Sequence, residues 1–180
     1  MTQPADQPPR IKGERVWLQP FTEADVTPAY LGWLNDPVVT RYSNQRFARH
    51  TRESSLSYLR SFTGSPNLFF SMRRRSDGLA LGTMTAYVAR HHGTADVGIL
   101  IGQRAAWGQG YGLDAWSTLL LWLLHERGLR KVTAGALDCN AAMLRLMERS
   151  GMHAEGARRR QEIVEGVEHD ILYYARFCDG

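Results

Sequence analysis

Apolar residues recur along this chain in two periods. Residues 14–21 (ERVWLQPF) alternate apolar and polar positions, which predicts a first strand. Thr22 with Asp25 three residues on reads as an acidic capping box, predicting a helix to about Leu34 before the turn Asn35-Asp36-Pro37. Residues 51–62 predict a second helix, stopped by Gly64-Ser65-Pro66. Residues 68–74 and 79–90 predict two strands joined by Ser76-Asp77-Gly78, a hairpin signal. In the strand predicted for residues 94–102, Ala95, Val97, Ile99 and Ile101 share one face, with Asp96, Gly98 and Leu100 on the other.

The pattern then changes to strand, glycine turn, helix. Gly108, Gly110 and Gly112 precede a run that places Leu113, Trp116, Leu120, Leu123 and Arg127 at helical spacing, ended by Gly128. Residues 130–137 predict a strand and residues 140–150 a short helix closed by Gly151. Residues 152–164 and 167–177 predict two last strands around Glu165-Gly166. The order predicts one α/β (α+β) domain over residues 11–178, after a polar, Pro-rich tail at residues 1–10. Its sheet is mixed and mainly antiparallel, with six to seven strands and four flanking helices.

Composition changes this picture little. At 43% hydrophobic and 22% charged residues, the 180-residue chain has a globular composition and not a disordered one. A net charge of +4 suits an anionic ligand. The basic runs at residues 73–75 and 158–160 lack interleaved aromatics, so no nucleic-acid platform is indicated. Cys139 and Cys178 have neither disulfide-framework nor zinc spacing and predict reduced thiols in a cytoplasm, with no metal. The apolar run at residues 113–124 falls short of the roughly 20 residues a bilayer demands. Nothing here predicts a membrane partner.

Alternating glycines at a helix start predict a phosphate cradle. Their backbone takes dihedrals closed to other residues and turns N–H groups outward, at the positive end of the helix dipole. No Lys-Ser/Thr follows them, so this is not a P-loop. Gly108-x-Gly110-x-Gly112 also has its third glycine one position early for a dinucleotide fingerprint, and the loop lies mid-chain after antiparallel strands.

The segment resembles the pyrophosphate loop of the GNAT superfamily of acyl-CoA N-acyltransferases, Gln/Arg-x-x-Gly-x-Gly/Ala. Gly110 and Gly112 match the two small positions, while Trp107 stands where the family has Gln or Arg. Three further stretches resemble the branch of ribosomal-protein N-terminal and amino-sugar acetyltransferases. They are Trp33-Leu-Asn-Asp-Pro37 with Arg41-Tyr-Ser43, residues 140–152, and His169-Asp-Ile-Leu-Tyr-Tyr174.

That resemblance implies acetyl-CoA as cofactor and a primary amine as acceptor. The pyrophosphate would rest on Trp107, Gly108, Gln109, Gly110, Tyr111, Gly112 and Leu113. The pantetheine and thioester would lie along Ile99, Leu100 and Ile101 of a splayed strand, in which Gly98 allows a bulge. Asn140 would bond the pantetheine arm, cap the helix that follows, or both. Met143 and Met147 would form an apolar wall or pack in the core. Many relatives carry a tyrosine at position 147. Met147 donates no proton, so thiolate departure is either unassisted, with a thiol pKa of about 8.5, or assisted by Tyr111, Tyr173 or Tyr174.

The candidate general base is Asp96, for which a cross-strand structural role is the competing reading. His50, His91 and His92 are weaker candidates beside turns. Trp33, Asn35, Asp36, Arg41 and Tyr42 would contact the acceptor, by the resemblance an amino sugar or a nucleotide-linked one. A protein N-terminus and a non-catalytic acyl-CoA-binding module are the alternatives, and a homodimer stays open.

Overall fold

The computed structural model describes residues 8–178. Most of the expected tail, residues 1–7, lies outside the described residues, whereas the Arg10 guanidinium sits 3.9 Å over the Trp17 ring. Eight strands form one sheet: β1 (Ile11–Lys12), β2 (Val16–Pro20), β3 (Leu68–Arg74), β4 (Ala80–Ala89), β5 (Thr94–Ile101), β6 (Lys131–Leu137), β7 (His153–Val164) and β8 (Val167–Phe177). The helices are α1 (Pro28–Leu34), α2 (Arg52–Arg60), α3 (Tyr111–Leu121) and α4 (Ala141–Arg149), α3 running on into a π turn, Trp122–Glu126.

The strand order is β1-β2-β3-β4-β5-β6-β8-β7. Every neighbouring pair is antiparallel except β5 and β6. That parallel pairing covers only Thr94↔Lys131, Ala95↔Val132 and Asp96↔Thr133. Beyond it β5 stays with β4 as far as Gly82↔Ile101, and β6 stays with β8 as far as Leu137↔Ile171. The sheet therefore splits into a V.

Each face buries its own core. Trp116, Leu119, Leu120, Leu123 and Leu124 of α3 and its π turn, with Met147 of α4, cover Leu18, Phe70, Met72, Met84 and Val132. Phe21, Val26, Tyr30 and Leu34 gather around Phe69 on the other face, with Leu56, Leu59 and Phe62 beside them. Phe21 stacks on Phe69 at 4.2 Å between ring centroids. Successive residues of β3 thus serve opposite cores, as a strand covered on both faces must.

Four local expectations are corrected. The helix predicted from Thr22 begins instead at Pro28. Thr22 and Asp25 do form their capping box, but around one 3-10 turn. Pro28 forces Thr27 into extended backbone (φ −96°, ψ 164°), and the Thr27 hydroxyl then caps a fresh helix by accepting from Tyr30 N. The first strand starts at Val16, not residue 14. The Glu14, Arg15 and Val16 amides donate to the Asp114 carboxylate at 3.0, 2.8 and 2.9 Å. The sheet has eight strands rather than six or seven, through the addition of the two-residue β1. Gly98 makes no bulge and stays in register opposite Thr85.

Asp114 thus fastens the chain entering β2 to the first turn of α3. Gly13 makes the approach feasible, since a Cβ there would lie 2.8 Å from Thr118 Oγ1 and 2.9 Å from Asp114 Oδ2. Asp114→Asn replaces one acceptor oxygen with a donor facing backbone N–H groups. A hydrogen bond to a charged group contributes about 1.5–3 kcal/mol. We expect a loss of about 2 kcal/mol in urea unfolding and, for a chain of this size, a Tm lower by roughly 4–8 °C. An unchanged midpoint would show that the clasp adds nothing to stability.

Candidate active site at the split between two parallel strands

The turn between β5 and α3 is held by its own side chains. Trp107 Nε1 donates to Ile101 O at 2.8 Å, although the indole itself is 42% exposed. The Gln109 amide donates back to Ala105 O. Arg15 donates to Gln109 O, and its guanidinium lies 4.1 Å over the Tyr111 ring. Gly108 (φ 71°) and Gly110 (φ 85°) take the left-handed backbone that favours glycine.

Gly110 is the N-cap of α3 and offers no side chain to the first-turn N–H groups. Donors of this kind, at the positive end of a helix, can receive an anion. A Cβ on Gly112 would come 2.6 Å from Ile101 Cδ1, so this turn packs directly on the end of β5. Leu113 faces a groove beside Ile11 and Arg15, on the flank of α3. Only its backbone belongs to the turn.

The V opens at the carboxyl ends of both strands, where α3 and α4 begin. Ile99 and Ile101 pack toward the α3–α4 core, and Leu100 toward the α1–α2 core. Asn140 caps α4, its Oδ1 accepting from Met143 N at 3.2 Å, and its Nδ2 makes no hydrogen bond among the described residues. Met143 is half-buried against the core. Met147 is 0% exposed and is a core residue, not a wall of the split. Its sulfur is shut in by the packing of α4 against the sheet.

Asp96 sits at the vertex of the V. Thr133 Oγ1 donates to its Oδ2 at 2.8 Å across the last parallel pair. Crowding by protein pushes its pKa above the ordinary carboxylate value, and the Thr133 hydrogen bond opposes part of that rise. Of the tyrosines considered as acids, Tyr174 turns to the α4 side and donates to Glu148 Oε1 at 3.1 Å. Tyr111 is buried beneath Arg15. Tyr173 packs against Gly135, on the same face as Thr133 and Asp96.

The expected acceptor residues divide by what already occupies them. Trp33 lies on Gly102, where a Cβ would fall 2.0 Å from its ring, and so seals the end of β5. Asn35 is corrected to a structural residue. Its Nδ2 donates to Leu31 O and His50 O, each at 2.9 Å, and its Oδ1 accepts from His50 N at 2.9 Å, closing the loop at residues 35–50. Asp36 Oδ1 accepts from Val38 N at 2.8 Å, and its Oδ2 lies 3.7 Å from Arg104 Nη1. Arg41 lies over the half-buried Tyr42 ring at 5.3 Å and pairs with Glu165 at 2.9 Å.

Glu165 is at the tip of the β7–β8 hairpin, and further contacts join the same parts. Asn44 Nδ2 donates to Glu162 Oε1 at 3.3 Å and Arg46 to Ile163 O at 3.1 Å. The loop and the hairpin make an arch. Glu162 and Glu165 carry no sequence signal for this, because their partners lie 118 and 124 residues away. Arg15, Asp114 and Thr133 escaped the sequence reading for the same reason.

A family model described as an acetyltransferase (GNAT) domain matches residues 15–153. The chain is 27% identical over 107 residues to the probable N-acetyltransferase YjcK of Bacillus subtilis (strain 168). That likeness covers 57% of this chain and 59% of the relative's length. Among solved structures, a GNAT-family acetyltransferase from Bacillus anthracis superposes with a TM-score of 0.79 at 22% identity, covering 93% of this chain and 98% of that one. RimL, a ribosomal L7/L12 alpha-N-protein acetyltransferase solved with coenzyme A in a CoA–cysteine disulfide, superposes with a TM-score of 0.76. It is 16% identical, covering 92% of this chain and 96% of that one. No helix among the described residues is long and apolar enough to cross a membrane.

The environment of Asp96 has a consequence for stability. A carboxyl whose folded pKa is raised binds its proton more tightly in the folded chain than in the unfolded one. Its contribution is then fully present at low pH and is lost as pH climbs through the folded pKa. Asp96→Asn keeps an acceptor for Thr133 and removes the charge. We expect the variant to be at least as stable as the wild type at pH 7, and its advantage to vanish below the ordinary carboxyl pKa of 3.8. Thermal melts across pH test this, and a variant less stable by the same margin at every pH would make Asp96 a plain cross-strand strut.

Proposed function

The chain belongs to the GNAT acetyltransferase family, and we propose that it transfers an acetyl group directly from acetyl-CoA to the primary amine of a small polar molecule, an amino sugar or a nucleotide-linked amino sugar. In this reading the pyrophosphate rests on the N–H groups around Gly108, Gly110 and the first turn of α3. The pantetheine amides take up backbone groups that β5 and β6 leave to one another across the split. Asn140 Nδ2 is a further donor at its rim.

The amine approaches from the α1–α2 face. Asp96 accepts its proton directly or through one water, and a raised pKa makes its carboxylate a stronger base for that step. The departing thiolate needs no acid, because a thiol with a pKa of about 8.5 leaves readily. Tyr173 faces the same side and is the remaining candidate where acid assistance is used.

One observation carries the choice of a small acceptor. The arch from Arg41 to Glu165 crosses the acceptor face at one end. In this reading the arch leaves room for a compact ligand, whereas an extended peptide wants an open groove. Asp36, Arg41 and Tyr42 supply charge and a ring face there. A protein N-terminus is the second reading, favoured by the fold shared with RimL.

Two measurements test the proposal. Gly110→Val puts a β-branched side chain at φ 85°, where left-handed strain is about 1–3 kcal/mol. Relief of that strain turns the loop amides away from the anion. Titration calorimetry should show CoA affinity falling by about 10- to 100-fold in a protein that still folds, and unchanged affinity would remove the cradle from the reading. Steady-state kinetics over amino sugars, nucleotide-linked amino sugars and peptide N-termini test the rest. Asp96→Asn should lower kcat by about 10²-fold or more at unchanged CoA affinity, and Tyr42→Ala should raise KM for the amine more than for acetyl-CoA. Preferred turnover of peptide N-termini would establish the second reading, and CoA binding without any turnover would leave a binding module.

A further inference from the structure

A second cluster of reactive groups lies where β6 leaves the sheet. Asp138 and Cys139 follow the last residue of β6, and His169 comes from β8 beside it. Pairing fixes their backbones, because Asp138 N donates to Asp170 O at 3.0 Å, one step past Leu137↔Ile171. Asp170 N returns a bond to Asp138 Oδ2 at 3.3 Å, and Asn140 N closes the turn on Leu137 O at 2.9 Å. His169 Nδ1 lies 2.6 Å from Asp138 Oδ1. The imidazole nitrogen, the carboxylate oxygen and the Cys139 sulfur all lie within 4.8 Å of one another. Cys139 and His169 are half-buried, and Asp138 is open to solvent.

We propose that Asp138, Cys139 and His169 form a binding site for zinc or a zinc-like divalent transition ion. The donors decide the class of ion. A thiolate and an imidazole suit zinc and exclude the hard ions magnesium and calcium, which want oxygen ligands. Ligands of tetrahedral zinc at about 2.0–2.3 Å stand roughly 3.3–3.8 Å apart. The three atoms already lie within 4.8 Å of one another, and the 2.6 Å carboxylate–imidazole contact must widen to meet that spacing. Asp170 is not a fourth ligand, since its carboxylate is taken by Arg159 and by Arg160 N. The fourth position is therefore open to water or to a donor from outside.

An ion here clasps the exit of β6 to β8 immediately before Asn140, the cap of α4. Arg41 and Glu165 are near enough to influence Cys139 electrostatically, so the ion would also bring positive charge to the foot of the arch. Its binding does not depend on acetyl transfer, so it stands or falls separately from the activity proposed above.

The test uses the full chain stripped with a chelator and titrated with zinc alone, then with cobalt. Wild type should take up one zinc per chain, show a thiolate-to-cobalt charge-transfer band, and melt at a higher temperature with zinc present. Cys139→Ser and His169→Gln should each weaken zinc by more than about 100-fold, beyond the usual cost of losing an outer-shell partner. Cys139→Ser should also abolish the band. Cys178→Ser is the control and should change neither, although Cys178 lies 4.0 Å from His125 and is the other thiol–imidazole pair. No saturable uptake by wild type, or uptake undiminished in the Cys139→Ser/His169→Gln double variant, would overturn the assignment.

Discussion

The rest of this structure depends on a strand pairing that stops early. β5 and β6 share three residue pairs and then part, because each is held more firmly from its outer side. β5 is bound to β4 over eight pairs and β6 to β8 over seven, so neither strand can bend to follow the other. Gly82 shows how tight the outer grip is, since a Cβ there would fall 2.0 Å from Leu100 O. The inner edges beyond the vertex are left with polar backbone groups that lack a strand partner, and unpaired backbone inside a protein is costly. Trp107 satisfies one of these groups, Ile101 O, at the mouth of the split.

The glycine turn works because its surroundings are rigid. Arg15 and Asp114 form one assembly with it. The Asp114 carboxylate collects the amides of residues 14–16, which fixes the backbone that carries Arg15, and Arg15 then reaches Gln109 O in the turn. Asp114 is also an acid in the first turn of α3, a favoured place for negative charge on a helix. The chain entering β2 and the central helix are thus joined through the turn itself. Loosening the chain before β2 would therefore loosen the glycine turn, although the two are nearly 100 residues apart.

What could be read from the sequence was set by local physics. Residues 68–74 and 167–177 became strands with the bounds their alternation predicts. Asp77-Gly78 turned the hairpin, and Asn140 capped its helix. Pro28 was visible, yet the capping box at Thr22 competed with it, and the structure keeps both by inserting a break between two short helical pieces. Asn35 carried a substrate role by position, but its amide is used in holding the loop that follows. Met147 shares a helix face with Asn140 and Met143, and only three-dimensional packing tells a cleft wall from a core residue. Asp138, Cys139 and His169 have no metal spacing in sequence. They meet because β8 runs antiparallel to β6 in one register, and a slip of one residue would turn His169 to the opposite face.

The two sides of the split therefore differ in how they are encoded. The α3 side is a backbone device. Its geometry follows from positive φ at glycines and from a helix start, features written within a few consecutive residues. The opposite side is assembled from side chains brought together by topology: Asp96 with Thr133, Trp33 with Gly102, Arg41 with Glu165. Exposed pairs such as Arg41–Glu165 contribute little to stability, so they can change without unfolding the domain. The glycine turn has no such freedom, because Gly112 has no room for a Cβ and Gly110 must hold φ 85°. The backbone turn is thus constrained by its own packing, whereas the opposite face rests on contacts that can change one side chain at a time. That is why the glycine turn pointed to a ligand class from sequence alone, whereas the opposite face yielded only residue types.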